Sequence, residues 1–198
     1  MTEKGKDSIF SLKDRVVIVT GAAGLLGKNH VEAIASFEGT PILLDINKKG
    51  IKELSTKINE KYEVESEYYH LDITDEQTVS ECCKSVVDKF KKIDGLVLNA
   101  ANNPKIEESK EKNFSRLEDF SLNRWNEDIE VGLTGSFLCS KYFGKAISKN
   151  PKGGSIVIIS SDLGLIAPDQ RLYLREGVKE SLQSVKPISY SVVKSGVI

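Results

Sequence analysis

The 198-residue sequence is poor in the residues that build disulfide frameworks and metal sites. It has three cysteines, Cys82, Cys83 and Cys139, and two isolated histidines, His30 and His70, none of them at metal-ligand spacing. An odd number of cysteines favours reduced thiols, so we expect a cytoplasmic protein without a metal centre. No run approaches the roughly 20 apolar residues of a membrane span, and the first ten residues are too polar for a signal peptide.

The sequence also lacks an excess of charge of either sign. The formal net charge is −1, which gives no reason to expect a nucleic acid or an anionic membrane as partner. Hydrophobic residues make up 39% and charged residues 29%, as in ordinary globular chains, and the length predicts a single domain over residues 1–198.

A glycine-rich turn follows the first apolar run. Residues 16–19 are β-branched, as in a buried parallel strand. Gly21, Gly24 and Gly27 follow at G-x-x-G-x-x-G spacing before a predicted helix. Glycine permits the tight turn and lets backbone approach a pyrophosphate, and the helix N-terminus favours negative charge. The pattern predicts a dinucleotide site.

An acidic residue stands where such a site needs one. The buried strand PILL ends at Asp45. A carboxylate in this position accepts hydrogen bonds from the adenosine ribose. Strand, glycine turn, helix, strand and acid in this order predict a Rossmann-type unit.

The rest of the chain continues the alternation of strands and helices. We expect strands at 16–19, 41–45, 66–71, 94–99 and 155–160, and helices at 25–38, 47–61 and 75–91. A polar loop to about residue 116, a long helix, an irregular or partly helical segment at 162–187 and a last helix complete the prediction. Apolar strands in βαβ order predict an α/β fold, a Rossmann-type doubly wound parallel sheet.

Polar residues follow the carboxyl ends of the later strands. Asp72 ends the third strand, Asn99 the fourth, and Ser160 and Ser161 the fifth. In open parallel sheets ligands bind at this edge, so we expect these residues to converge on one site.

The last helix carries a tyrosine and a lysine four residues apart, Tyr190 and Lys194. Residues at i and i+4 share a helix face, and an ammonium beside a phenol favours the phenolate. Such a tyrosine can act as general base toward an alcohol or general acid toward a carbonyl.

With these motifs, the chain from about residue 12 onward resembles the short-chain dehydrogenase/reductase family. The resemblance implies an oxidoreductase with Ser161, Tyr190 and Lys194 as catalytic residues, a small-molecule substrate and a homo-oligomer, dimer or tetramer. It implies that NAD, with NADP less favoured because of Asp45, binds the following residues: Thr20, Gly21, Gly24, Leu26, Gly27, Asp45, Asp72, Ile73, Asn99, Ala100 and Lys194.

The resemblance extends to a subgroup. The segments TGAAGLLGKNH and LNAANNP, with the long insertion before the tyrosine, are similar to the flagellin-modification oxidoreductases of the PtmA type. These act in pathways of bacterial nonulosonic-acid sugars, which implies a sugar-derived substrate.

The chain departs from the family pattern in several places. The glycine spacing is that of longer nucleotide-sugar-modifying relatives, and Gly132 replaces the family's helical catalytic Asn. Tyr173 lies at the usual distance from Ser161, but Gly177 rather than lysine follows it, which favours Tyr190. Residues 162–187 would then be an insertion near the substrate pocket. The family continues with a strand–helix–strand unit beyond the last helix, so we expect an incomplete catalytic domain.

Two alternatives remain open at this point. One is a non-catalytic dinucleotide-binding protein, favoured by Gly132. The other is a nucleotide-sugar epimerase or dehydratase, favoured by the glycine spacing.

Overall fold

The computed structural model describes residues 9–102 and 115–198. Most of the polar loop expected before residue 116 lies outside the described residues. The chain divides into two compact units, Met1–Ala100 with Phe137–Ile159, and Ala101–Ser136 with Ser160–Ile198.

The first unit contains a parallel sheet of five strands in the order β3-β2-β1-β4-β5. The strands are β1 (Val16–Thr20), β2 (Thr40–Asp45), β3 (Glu67–His70), β4 (Gly95–Leu98) and β5 (Ser155–Ile158). All five were predicted within two residues, and the order confirms the Rossmann-type fold class. The order reverses between β1 and β4, and ligands of open parallel sheets bind at such a reversal.

Helices cover the sheet because its strands are apolar on both faces. They are α1 (Leu25–Ser36), α2 (Lys48–Tyr62), α3 (Glu76–Phe90) and α5 (Gly135–Ile147), of which α5 begins in the second unit. Val19 and Leu43 pack with α1 and α2 in one core cluster. Ile18 and Ile42, also fully buried, face the other side of the sheet because successive strand residues alternate.

Three buried thiols lie in the first unit. Cys82, Cys83 and Cys139 are all unpaired. Burial raises the pKa of all three, that of Cys139 to about 12. This agrees with the expectation of reduced structural cysteines rather than reactive ones.

The second unit contains α4 (Leu122–Ile129), a π-helical turn (Glu130–Thr134) and α6 (Ile188–Gly196). Sequence periodicity predicted one long helix where the structure has α4, the π-helical turn and α5 in succession. A π-helical turn inserts an extra residue in the hydrogen-bond ladder, which apolar spacing alone does not reveal. Gly132 lies inside this turn and is buried.

The segment 162–187 also belongs to the second unit. It contains three short 3-10 turns, which agrees with the irregular, partly helical prediction. Two glutamine side chains form hydrogen bonds with backbone groups within this segment. The Gln183 amide donates to the carbonyls of Arg175 (2.7 Å) and Val178 (2.8 Å), and Gln170 Oε1 accepts from the Lys186 N–H.

Candidate active site

The turn after β1 is built around glycines that a side chain would disrupt. Gly21 has φ +63°, and a Cβ there would lie 2.8 Å from Ala100 Cα. A Cβ on Gly27 would lie 2.1 Å from the Gly21 carbonyl oxygen, so α1 can pack on the turn only with glycine at this position. The sequence predicted this arrangement.

A reciprocal set of hydrogen bonds joins this turn to the end of β4. Thr20 Oγ1 accepts from the N–H groups of Asn99 (3.0 Å) and Ala100 (3.1 Å). The Asn99 side-chain amide donates to the carbonyls of Thr20 (3.0 Å) and Gly21 (3.1 Å). These side chains therefore fix the backbone of the turn.

Asp45 lies at the end of β2 and supports the same turn. Its Oδ2 accepts from the Ala23 N–H at 2.9 Å, and its Oδ1 accepts from the Asn47 N–H at 2.8 Å. Each carboxylate oxygen has more than one lone pair, so the group can accept further hydrogen bonds from a ligand hydroxyl.

The N-terminus of α1 differs from those of α2, α3 and α4. Side chains of Asn47, Asp75 and Ser121 cap those three helices, whereas Gly24 precedes α1 without a side-chain hydrogen bond. The first N–H groups of a helix have no partners within it. With the glycine turn beside them, they fit the pyrophosphate of a dinucleotide.

The remaining predicted cofactor residues of the first unit have different surroundings. Asp72 Oδ1 accepts from the N–H (2.9 Å) and hydroxyl (2.8 Å) of Thr74, and Ile73 is buried. Leu26, in the first turn of α1, is half exposed. Asp72 thus organises the turn that leads into α3.

In the second unit, two lysines flank the ring of Tyr190. Lys194 Nζ lies 5.7 Å from the ring centroid, and Lys186 Nζ lies 3.7 Å from it. Burial lowers the pKa of both amines, and the charge of Lys194 further lowers the pKa of Lys186. The predicted Tyr190–Lys194 pair is present, with a second cation on the ring.

The backbone of Lys194 is held closely. Its carbonyl accepts from the Ser160 hydroxyl at 2.6 Å, and a Cβ on Gly164 would lie 2.6 Å from the same carbonyl oxygen. Lys194 itself is 7% exposed. Ser160 and the Gly164 turn thus position this end of α6.

Ser161 makes local contacts at the start of a 3-10 turn. Its hydroxyl donates to Asp162 Oδ1 at 2.9 Å and accepts from the Leu163 N–H at 3.2 Å. Ser161 is half-buried, and a ligand oxygen would have to compete with the Asp162 contact.

Sequence reasoning missed an acidic contact to α6. Asp128 of α4 accepts a hydrogen bond from Ser189, the residue before Tyr190. Burial raises the pKa of the Asp128 carboxyl, although hydrogen bonds from Ser189 and Asn102 act to lower it. No sequence signal links two positions that are 61 residues apart. The second lysine beside Tyr190 could have been predicted, because Lys186 lies four residues before the tyrosine.

No helix within 9–102 or 115–198 is long and apolar enough to cross a membrane. In the same residues, no three side chains among His, Cys, Asp and Glu gather as a metal site.

Comparisons with known proteins agree on one family. The short chain dehydrogenase family profile matches residues 15–172. Among curated relatives, the post-translational flagellin modification protein A of Campylobacter coli is 28% identical over 186 residues. The NAD-dependent glycerol dehydrogenase of Listeria innocua is 30% identical over 172 residues. The match covers 94% and 87% of this chain and 68% and 62% of those relatives.

Solved structures show the same fold. An NAD+-bound xylitol dehydrogenase aligns with a TM-score of 0.74 at 24% identity, covering 94% of this chain and 62% of that one. A short chain dehydrogenase of Shigella flexneri complexed with NADP aligns with a TM-score of 0.75 at 19% identity, covering 96% and 70%.

Proposed function

Because the chain belongs to the short-chain dehydrogenase/reductase family, we propose that it carries the nucleotide-binding and proton-transfer residues of an oxidoreductase. The reaction moves a hydride between a nicotinamide dinucleotide and a secondary alcohol or ketone. The observation that carries this proposal is Tyr190 with Lys194 beside it in α6, the arrangement that proton transfer to or from an alcohol oxygen requires.

The dinucleotide would be held by the first unit. The uncapped N-terminus of α1 receives the pyrophosphate, and Gly21 and Gly27 keep that surface free of side chains. Asp45 accepts hydrogen bonds from the adenosine ribose, and Asp72 with Ile73 contacts the adenine side. When bound, the nicotinamide accepts or donates the hydride. Lys194 is also proposed to donate to its ribose.

Tyr190 carries the proton. In the oxidative direction its oxygen takes the proton of the substrate hydroxyl, and in the reductive direction it returns that proton. A nearby cation stabilises the oxyanion form, which is the role of Lys194. Ser161 donates a hydrogen bond to the substrate oxygen once its hydroxyl turns away from Asp162.

Two finer proposals concern the cofactor and the substrate. A carboxylate at position 45 repels a ribose 2′-phosphate, which supports NAD over NADP. The flagellin modification protein and the glycerol dehydrogenase among the relatives support a polyhydroxylated, sugar-derived substrate. A homo-oligomer is proposed from the family resemblance, and a cytoplasmic location from the odd number of cysteines.

The experiment compares two tyrosines in the full-length protein. Tyr190→Phe should abolish NAD-dependent turnover of a panel of sugars and polyols while NAD affinity stays within about twofold, because the phenol acts on the substrate. Tyr173→Phe is the matched control and should keep its rate. Retained turnover in Tyr190→Phe, or its loss in Tyr173→Phe, would contradict the assignment.

A non-catalytic dinucleotide-binding protein is the second candidate, and Gly132 favours it. The family's Asn at this position anchors a water of the proton relay, and glycine has no side chain to do so. NAD binding without turnover of any alcohol or ketone in that panel would support this alternative.

A further inference from the structure

A basic cavity lies in the first unit, at the end of the sheet away from the glycine turn. Its volume is about 630 Å³, and it borders the segments that precede β1, β4 and β5. Because all strands are parallel, this amino end is opposite the carboxyl end where the turn follows β1. Six cations line the cavity: Lys13, Arg15, Lys91, Lys92, Lys149 and Lys152.

Among the residues that the structure describes, only two acids line the same cavity, Asp14 and Asp94. The lining therefore carries a net formal charge of +4, whereas the whole chain carries −1. A concave surface lined with one sign of charge raises the local concentration of ions of the opposite sign. This surface therefore attracts anions.

Two of the six cations, Arg15 and Lys92, form ion pairs with the buried Asp94. Asp94 accepts from the Val16 N–H at 2.9 Å, from Arg15 Nη1 at 2.9 Å, and forms an ion pair with Lys92 at 3.2 Å. Although burial opposes ionisation, these contacts hold the pKa of the Asp94 carboxyl below its usual value. Arg15 and Lys92 are thus fixed in place at the cavity wall.

A helix end accounts for a third cation. Lys91 follows the last residue of α3, and its side chain donates to the Asp88 carbonyl at 2.5 Å. Lysines at helix C-termini commonly bond the last carbonyls and offset the negative end of the helix dipole. This structural role explains Lys91 without a ligand.

Lys13, Lys149 and Lys152 are left without such an explanation. Within residues 9–102 and 115–198, their side chains have no hydrogen-bond or ion-pair partner. These three lysines line one cavity, and an anionic ligand there would supply the counter-charge that they lack.

The backbone that carries two of these lysines is anchored. The Asn150 side chain donates to the Ile93 carbonyl at 2.6 Å, and the Gly153 N–H donates to the Asn150 carbonyl at 2.8 Å. Gly153 has φ +66°, and no heavy atom lies within 4 Å of the position its Cβ would take. The turn is fixed on one side and open toward the cavity.

We propose that this cavity binds a small phosphate-bearing anion, separate from the dinucleotide site. Its volume is in the range of small-molecule sites. Lysine and arginine are the residues that bind phosphate, and a group with several negative charges can engage Lys13, Lys149 and Lys152 together. A nucleic acid is not favoured, because the chain as a whole is slightly acidic.

Calorimetric titration with inorganic tripolyphosphate tests the proposal, with and without saturating NADH. The triple variant Lys13→Gln, Lys149→Gln, Lys152→Gln should bind tripolyphosphate at least tenfold more weakly. The matched control Lys52→Gln, Lys57→Gln, Lys84→Gln removes the same charge from exposed sites elsewhere in the first unit, and should change affinity less than twofold.

Three results would overturn the proposal. The first is an equal loss in both triple variants, which would indicate a general charge effect. The second is displacement of tripolyphosphate by NADH, which would place it in the dinucleotide site. The third is tighter binding of a single-stranded oligonucleotide, which would indicate a nucleic-acid surface. Lys152→Glu alone, on an exposed turn, gives the same readout if the triple variant unfolds.

Discussion

Gly132 and Val193 are packed so closely that only glycine fits at the first position. A Cβ on Gly132 would lie 2.3 Å from Val193 Cγ1. Val193 is buried, two residues after Ser191 and one before Lys194. Gly132 therefore belongs to a local packing arrangement with α6.

An asparagine at position 132 should destabilise the protein. Gly132→Asn forces a side chain into Val193, and overpacking of this kind typically costs about 1–3 kcal/mol. Val193→Ala in the same chain makes room and should recover part of that loss. Urea denaturation of the single and double variants measures the coupling. Equal stability of Gly132→Asn and the unmodified protein would contradict the close packing.

Lys186 should affect proton transfer through its contact with Tyr190. If Tyr190 carries the proton as proposed, Lys186→Met removes a cation that lies 3.7 Å from the centroid of its ring. We expect kcat to fall while NAD affinity stays within about twofold, because the lost contact is with the proton-carrying tyrosine. Lys179→Met, on an exposed lysine of the same segment, is the control and should leave kcat unchanged. An unchanged kcat in Lys186→Met would show that this cation only packs on the ring.

Asp45 should determine the preference between NAD and NADP. Asp45→Asn keeps the size and one acceptor oxygen but removes the charge that repels a 2′-phosphate. We expect NADP affinity to rise relative to NAD by about tenfold, which corresponds to about 1.4 kcal/mol. Titration with both dinucleotides measures this ratio. Tighter NADP binding by the unmodified protein would show that the carboxylate does not select NAD.

Asp94 should stabilise the first unit in a pH-dependent way. Asp94→Asn removes charged hydrogen bonds to Arg15 and Lys92 and should cost about 2–3 kcal/mol near neutral pH. The pKa of Asp94 is lowered on folding, so its contribution is complete above the unfolded value of about 3.8 and is lost as pH falls through the lower folded pKa. The stability difference should shrink in that acidic window. Asp88→Asn, on an exposed side chain, is the control and should change the stability near neutral pH by less than about 0.5 kcal/mol.

We expect the side chain of Gln183 to stabilise the folded conformation of residues 175–183. Gln183→Ala removes two donor contacts and one acceptor contact to backbone. Hydrogen exchange should become faster over residues 175–183. In the variant, these hydrogen bonds are absent, so local opening of the segment costs less free energy. Exchange in α6 should change little. Unchanged protection over 175–183 would mean that other contacts order this segment.

The sequence was sufficient to predict the sheet and the glycine turn. Apolar β-branched runs such as Val16–Val19 and the spacing of Gly21 and Gly27 are local signals, and parallel strands bring their ends to one edge. The positive φ of Gly21 and the close packing of α1 at Gly27 are what these glycines were expected to permit, whereas the close approach of Gly21 to Ala100 was not predicted.

The surroundings of α6 could not be predicted, because they depend on contacts between distant positions. The Asp128–Ser189 hydrogen bond and the Gly132–Val193 contact each join residues 61 apart in the chain. The π-helical turn that contains Gly132 shifts the helical periodicity on which sequence reasoning relies. Lys186 differs, since its spacing from Tyr190 follows the same rule that identified Lys194.

The cysteines and the tryptophan lie in different units, so the unfolding of each unit can be observed separately. Cys82, Cys83 and Cys139 lie in the first unit, and the single tryptophan, Trp125, lies in the second. Buried thiols react with an alkylating reagent only after opening, so pulsed labelling followed by mass spectrometry reports the first unit. Tryptophan fluorescence reports the second, and the delay between the two signals measures how cooperatively the chain unfolds.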